Sequence, residues 1–263
     1  MKTILLTIML ITGLAVNTYA DAIITGQGTL TRSGGTPVVE PPTDGLVGYW
    51  SMDRIVNGQI LDGSGYGANG TITGAIAADG ILYQGLYFDG IDDLVTVGNR
   101  AQHNFGTGSF SYGCWVNIGT DTGAWDMPMS KGGASVGIPG YDFELGSGVW
   151  LINISNGSVI SSLNLRASPV YNTWTHIFAV IDRTGTNILG FVNGVQTGTT
   201  SISSWNAGSS TTGTSSLRLG SNGSGFWING RMDETRIYNR ALSATEIANI
   251  YTYGLQPQSR ISN

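Results

Sequence analysis

Four aromatic residues occur in sequence contexts that could display them to a ligand. Trp125, Trp205 and Trp227 lie in Gly-rich or polar stretches (DTGAWDMP, SISSWNAG and GSGFWING), and Tyr141 follows Pro139-Gly140. Aromatic rings pack against the apolar faces of sugars, while neighbouring polar groups fix the orientation of the ligand. We therefore predict that at least one of the four contacts a glycan. The alternative is that these rings only cap the end of the fold.

Six aspartates form a second set of candidate residues. They are Asp53, Asp62, Asp89, Asp92, Asp93 and Asp233. Carboxylate and carbonyl oxygens are the ligands that calcium prefers. The spacing Asp62-x-Ser64-x-Tyr66-Gly67 is similar to the start of a calcium loop, although Thr73 stands at its twelfth position instead of Glu. The alternative is that these aspartates form turns by binding their own backbone.

Catalytic motifs are weak in this chain. No glutamate is followed by Asp two positions later, so the sequence lacks a Glu-x-Asp-x-x-Glu strand, which would place two carboxyl groups on one face as a glycosidase needs. Asp142 and Glu144 share one face of a predicted strand and are the remaining acid pair, because such hydrolysis uses two carboxyl groups. Residues 133–137 have the spacing of a nucleophile elbow, but a strand follows them rather than a helix. We predict that the protein is not an enzyme.

The elements that would position these residues are short strands joined by Gly-rich turns. Strands are predicted at the following ranges: 46–53, 85–90, 93–98, 109–119, 126–132, 141–146, 149–155, 158–165, 173–182, 187–198 as a hairpin, 215–221 and 230–238. Asn193-Gly194 is a strong hairpin signal, and the apolar run 173–182 predicts a central strand. One helix is predicted at about 243–253, since Ser243 and Glu246 form a capping box and Leu242 and Ile247 a hydrophobic staple.

Composition and the N-terminal residues limit the classes of protein to which this chain can belong. Charged residues make up 11% of the 263 residues and the formal net charge is −5, which argues against a nucleic-acid partner. Lys2 precedes an apolar run at 4–16, and Ala20 ends a cleavage-like motif, so residues 1–20 predict a signal peptide. The protein is therefore expected to be secreted or cell-surface, without a membrane span. Cys114, the single cysteine, is expected to be buried.

Residues 46–254 resemble the laminin-G-like, concanavalin A-like jelly-roll domains of secreted bacterial proteins. The resemblance rests on GYWSMD, LDGSGYGANGT, GLYFDGIDDLVTV, FSYGCWVNIG, WTHIFAVIDRTGTNILGFVNGV and GRMDETRIYNRALSATEI, in this order. It implies an all-β fold: a two-sheet antiparallel jelly-roll sandwich with one short C-terminal helix. Residues 21–45 are then a flexible tail, with one short strand at Ile23–Leu30, and 255–263 a C-terminal tail.

The same resemblance implies a metal site and a function. Related glycan-active jelly rolls hold one structural Ca²⁺ between the first and last strands. Here that implies Asp53 and Asp233 with the Gly90 carbonyl, and Asp62 is a further candidate ligand. The expected function is non-catalytic binding of a glycan or a glycosylated surface. The alternatives are an adhesive or structural subunit that binds other proteins through the N-terminal tail or the sheet edges, and a jelly-roll hydrolase or lyase without the usual motif.

Overall fold

The computed structural model describes residues 22–24, 30–32, 39–120, 125–133, 137–205 and 208–256. Its contacts divide the chain into two units, Met1–Val39 and Glu40–Asn263. The predicted signal segment and most of the C-terminal tail lie outside the described residues.

The first unit contains one short hairpin. Strand β1 (Ala22–Ile24) pairs antiparallel with β2 (Leu30–Arg32), with Ile23 opposite Thr31. The single strand expected at Ile23–Leu30 is therefore corrected to two strands.

The second unit is a sandwich of two antiparallel sheets. Among the described residues, the eight strands of sheet I are β3 (Leu46–Trp50), β7 (Ile76–Asp79), β8 (Gln84–Asp89), β10 (Phe110–Ile118), β15 (Thr175–Asp182), β16 (Asn187–Val192), β17 (Val195–Ser201) and β19 (Asn229–Tyr238). Those of sheet II are β4 (Ile55–Val56), β5 (Gln59–Ile60), β6 (Gly70–Thr73), β9 (Leu94–Gly98), β11 (Asp126–Lys131), β12 (Gly140–Gly146), β13 (Val149–Ser155), β14 (Ile160–Asn164) and β18 (Leu217–Leu219). A short 3-10 helix covers Ala101–His103.

The long strand β19 organises sheet I. It pairs with β10 along one side, and on the other side with β8 through residues 229–232 and with β3 through residues 235–238. The first and last strands of the sandwich are thus neighbours, with Tyr49 opposite Arg236. The ends of β3 and β8 meet beside Asp233 and Glu234, which pair with neither strand.

Sheet II runs in the order β14-β13-β12-β11-β18-β9-β6-β5-β4. Its side chains alternate between two faces, as the pleat of a strand requires. On β12, Tyr141, Phe143 and Leu145 point into the core between the sheets. Asp142 and Glu144, which alternate with them, belong to the opposite face. This alternation determines which side chains of sheet II are available to a ligand.

The apolar core lies between the two sheets. Trp50, Phe88, Tyr112, Ile152 and Leu219 are all fully buried in it. Cys114 is also fully buried, which confirms the expectation for the single cysteine, and burial raises the pKa of its thiol. The apolar strand β15 is flanked by β10 and β16, as its composition predicts.

The hairpin between β16 and β17 turns at Asn193-Gly194. Both residues have positive φ, 50° and 75°, which is the backbone of a type I′ turn. A side chain at Gly194 would also strike Tyr251, because a Cβ there would lie 3.0 Å from that residue. The predicted hairpin is confirmed.

Helix α1 (Ala244–Gly254) packs on the face of sheet I turned away from the core. Ser243 accepts from the Glu246 N–H, and the Glu246 carboxylate accepts from the Ser243 N–H, so the predicted capping box is present. Ile247 and Ile250 are buried with Leu242, Phe178 and other apolar residues. The helix therefore closes a second, smaller core. The described helices lack the length and apolar character that crossing a membrane requires.

Candidate functional site

A groove of about 750 Å³ crosses the outer face of sheet II. Its floor is formed by outward-pointing side chains of β11, β12, β13, β14 and β18. The loops at 132–133 and 222–226 line its sides, together with Trp125 and Ile138. We call this surface the sheet II groove.

The floor of the groove is a connected set of polar side chains. The Asn153 amide donates to Asp142 Oδ1 at 2.9 Å, and Ser162 Oγ donates to Asn153 Oδ1. Asp142 and Asn153 are nearly inaccessible, at 0% and 4% exposure, although both face the groove. Such fixed polar groups can orient a hydroxyl-rich ligand at little cost in side-chain entropy.

Charge on the floor is mostly negative. Glu144 lies beside Asp142 on β12, and burial raises the pKa of its carboxyl, while a hydrogen bond with Asn153 lowers it. Arg218 on β18 is the cation that lines the groove, and its guanidinium donates to the Asn222 carbonyl at 3.0 Å. The acid pair noted in the sequence is therefore brought into the groove, on one strand.

Trp125 forms an aromatic platform at one end of the groove. It is 38% exposed, and its ring lies directly over the backbone of Gly146, where a Cβ would fall 2.0 Å from a ring atom. Glycine at this position therefore lets the indole lie flat against β12. Trp125 also lines the groove, and its contact with a ligand stays a prediction.

The other three aromatic candidates lie elsewhere. Tyr141 is fully buried against Phe110 and Tyr112, because the alternation of β12 turns it into the core. Trp205 is 7% exposed, donates from Nε1 to Ser161 Oγ at 2.9 Å, and lies under the Arg183 guanidinium. The expectation that Tyr141 and Trp205 are displayed to a ligand is corrected for both. Trp227 is half-buried, and the groove is lined by its neighbour Phe226 instead.

A second site lies where β3, β8 and β19 meet. Asp233 Oδ2 accepts from the Leu82 N–H at 3.0 Å, and Asp53 Oδ1 accepts from the Gln84 N–H at 3.0 Å. The two predicted calcium ligands therefore hold the same turn from two sides. We call this the clasp site.

The backbone around the clasp site is unusual in all three segments. Met52, Tyr83 and Glu234 have φ of 61°, 45° and 50°, a region that non-glycine residues seldom adopt. Such conformations persist only where the surrounding structure enforces them, and they concentrate at functional sites. A Cβ on Gly80 would lie 2.4 Å from Asp233 Oδ2 and 2.7 Å from the Leu82 carbonyl oxygen, so glycine leaves a small oxygen-lined space.

Electrostatics at the clasp site favour a cation. Burial, Glu234 and then Asp53 raise the pKa of the Asp233 carboxyl to about 9. Burial likewise raises the pKa of Asp53. Arg236 forms an ion pair with Glu234. The Glu234 carboxylate also accepts from Tyr49 Oη at 2.8 Å, and the Arg236 guanidinium lies 3.8 Å above the Tyr49 ring. The buried Asp233 carboxylate, the half-buried Asp53 carboxylate and a nearby carbonyl match the oxygen donors that Ca²⁺ prefers.

Two members of the predicted ligand set do not belong to this site. Asp89 is the residue before Gly90, and it pairs with Asn229 on β19. Asn229 is four residues from Asp233 along that strand, and this separation corresponds to about 13 Å. The Gly90 carbonyl is thus too distant, and that expectation is corrected. The Asp62 carboxylate accepts from the backbone N–H groups of Tyr49, Ser64 and Ala68 and so organises its own loop. This is the turn-forming alternative.

A further acidic group forms at the turn after β8. The ligand atoms of Asp89, Asp92 and Asp93 lie within 4.8 Å of one another. Within the group, Asp93 accepts from the Asp89 N–H and Asp89 from the Ile91 N–H. These bonds are those of a tight turn, and they account for the arrangement without a ligand.

The two-sheet sandwich agrees with the sequence comparison. A family described as the concanavalin A-like lectin/glucanases superfamily matches residues 89–248, well over half of the chain. The protein belongs to this family. No curated protein matches its sequence significantly.

Solved structures with the same fold include binding domains of bacterial toxins. The binding domain of Paraclostridial Mosquitocidal Protein 1 has a TM-score of 0.65 and 18% identity, over 80% of this chain and 52% of that one. A Botulinum neurotoxin serotype D ligand binding domain, solved with N-acetylneuraminic acid, has a TM-score of 0.62 and 14% identity, over 80% and 51%. A Trypanosoma rangeli sialidase has a TM-score of 0.62 and 17% identity, over 82% and 33%.

These likenesses establish the fold alone. The chain spans about half the length of the two toxin domains that it matches. The neighbours differ in what they do, since two are binding domains and one is a sialidase. Function must therefore be argued from the groove itself.

Proposed function

We propose that the protein is an exported, non-catalytic carbohydrate-binding module whose ligand lies in the sheet II groove. The observation that carries the proposal is the exposed Trp125 in the same groove as a polar floor whose exposed member, Ser162, is held by Asn153. A ring face supplies apolar area to a sugar, and the floor supplies hydrogen bonds to its hydroxyls. The signal peptide that residues 1–20 predict supports the export part of the proposal.

We propose also that a structural Ca²⁺ binds Asp53 and Asp233 in the clasp site. The ion would offset the charge of these two carboxylates and link the ends of β3 and β8 to β19. Its role would be to stabilise the sandwich, since the clasp site and the groove lie on different sheets.

The glycan-binding proposal is tested by retention of the purified protein on gels that contain polysaccharides. Trp125→Ala should weaken retention about tenfold, equivalent to about 1.4 kcal/mol, because it removes the platform. It should change the melting temperature little, since the ring is partly exposed. Trp227→Ala is the matched control, because Trp227 does not line the groove.

Two results would count against this assignment. Equal loss of retention in both Trp variants would move the binding surface away from the groove. Absence of retention of the wild type on every polysaccharide would favour the adhesive or structural alternative, in which other proteins are the partners.

A glycoside hydrolase is the second candidate function, and one observation favours it. Asp142 and Glu144 both face the groove, and the raised pKa of Glu144 is what a general acid needs. Incubation with any retained polysaccharide, followed by measurement of new reducing ends, separates the two. The binding proposal expects no release by the wild type. Release that Glu144→Gln abolishes would establish the hydrolase instead.

A further inference from the structure

Polar side chains of sheet II form a row that crosses the strands at right angles. The backbone pairing places Ser162 opposite Asn153, Asn153 opposite Asp142, Asp142 opposite Ser130, and Ser130 opposite Arg218. These five residues line the groove on five adjacent strands. The row continues beyond the groove, because Arg218 pairs with Thr96 and Thr96 with Thr71. We call these seven residues the polar row.

The polar row is much longer than a single sugar. Neighbouring strands are about 4.8 Å apart, so the five strands of the groove span about 19 Å and all seven strands about 29 Å. One sugar could contact only one or two members of the row. An oligosaccharide that lies across the strands could follow the whole row, with one sugar to roughly each strand.

Both ends of the polar row are open. Ser162 and Thr71 are exposed, Thr96 is half-buried, and all three side chains are small. A site that recognises the end of a glycan encloses it, whereas this surface lets a chain continue in both directions. The shape therefore fits the interior of a long chain.

The charge of the groove selects among such chains. Asp142 is the third of the seven residues counted from Ser162, and Glu144 is its neighbour on the same face of β12. Acidic sugars would place carboxylates beside these two, and like charges at a partly desolvated surface repel. Arg218 is two strands away, and it already donates to the Asn222 carbonyl.

We propose that sheet II binds the interior of an extended, unbranched and uncharged polysaccharide, with the chain running across the strands along the polar row. This proposal rests on the proposed glycan-binding function and narrows its ligand. The preference for uncharged chains separates this protein from its structural neighbour that was solved with N-acetylneuraminic acid.

Calorimetric titration with oligosaccharides of defined length tests the proposal. The neutral probes are gluco-, manno- and xylo-oligosaccharides of two to six units, and the acidic probes are oligogalacturonides of the same lengths and free N-acetylneuraminic acid. Affinity for one neutral series should rise at least tenfold between two and five units. Every acidic probe should bind at least tenfold more weakly than the neutral probe of equal length.

The failures of the two proposals are distinguishable. Equal affinity for two and six units, or preference for an acidic probe, would overturn the polar-row proposal while glycan binding itself stood. No binding of any probe would overturn both.

Thr96→Glu tests the length of the row directly. The change places a carboxylate on the path of the chain just outside the groove, so affinity for the six-unit neutral probe should fall about tenfold. Thr245→Glu is the matched control, since Thr245 is an exposed threonine on α1, which packs on sheet I. Unchanged affinity of Thr96→Glu would contradict an extended site, provided that its melting temperature matches that of the control.

Discussion

Removal of calcium is expected to lower the melting temperature of the protein, and addition of calcium to restore it. An ion that binds only the folded state stabilises it by mass action, by about 4 kcal/mol when free calcium is 1,000-fold above Kd. Asp233→Asn should abolish most of this response, because the amide keeps the shape of the side chain and removes the buried charge. Differential scanning calorimetry with and without a chelator measures both effects.

The pH dependence gives the same prediction a second readout. Because the pKa of Asp233 is raised to about 9, the calcium-free folded state retains a proton that the unfolded chain releases near pH 4. Stability without calcium should therefore fall as pH rises from about 4 to 9. Bound calcium takes the place of the proton, so the stabilisation by calcium should grow over the same interval. Asp233→Asn should lack this trend.

Asp92→Asn is the control for the calcium prediction. It removes one carboxylate from the acidic turn of Asp89, Asp92 and Asp93 and leaves the clasp site intact. A melting temperature indifferent to chelation, with no metal found by elemental analysis, would contradict the clasp proposal. Loss of the response in Asp92→Asn alone would move the ion to the acidic turn.

Ile250→Ala is expected to cost about 2–5 kcal/mol of unfolding free energy, because Ile250 is 3% exposed in the second core between α1 and sheet I. Ser243→Ala should cost less, about 0.5–2 kcal/mol, since it removes one cap from the helix end. Thr245→Ala, on the exposed side of α1, should stay within about 0.5 kcal/mol. Urea denaturation of the three variants measures the series.

The informative comparison is between the losses of unfolding free energy in Ile250→Ala and Ser243→Ala. A milder effect for Ile250→Ala than for Ser243→Ala would mean that α1 does not depend on packing against sheet I. The stacking of Trp115 on Tyr251, with ring centroids 5.4 Å apart, makes the docked arrangement the expected one.

Local signals in the sequence predicted the elements of this fold well. Ser243 and Glu246 fix the start of α1, and Asn193-Gly194 fixes the hairpin of β16 and β17, because both signals act within a few residues. The proximity of Asp53 and Asp233 also followed, since the first and last strands of a jelly roll pair. The short strands β4 to β7 were not predicted, because they lie in or beside turn-rich sequence.

The candidate site was harder to predict, because it depends on contacts between distant segments. Trp205 lies in loop-like sequence, yet it is covered by Arg183. Tyr141 could have been assigned to the core, because it alternates with Asp142 and Glu144 on one strand. The polar row could not have been predicted, since it needs the register of seven strands drawn from residues 70–219.

Oxidative footprinting of tryptophan and tyrosine in the presence of a retained polysaccharide tests the central claim most directly. The account predicts that saturating ligand protects Trp125 in the sheet II groove. The exposed rings of Tyr66 and Tyr83, which lie outside the groove, should be oxidised as before. Protection of Tyr66 or Tyr83 with no change at Trp125 would contradict the assignment of the groove as the glycan-binding site.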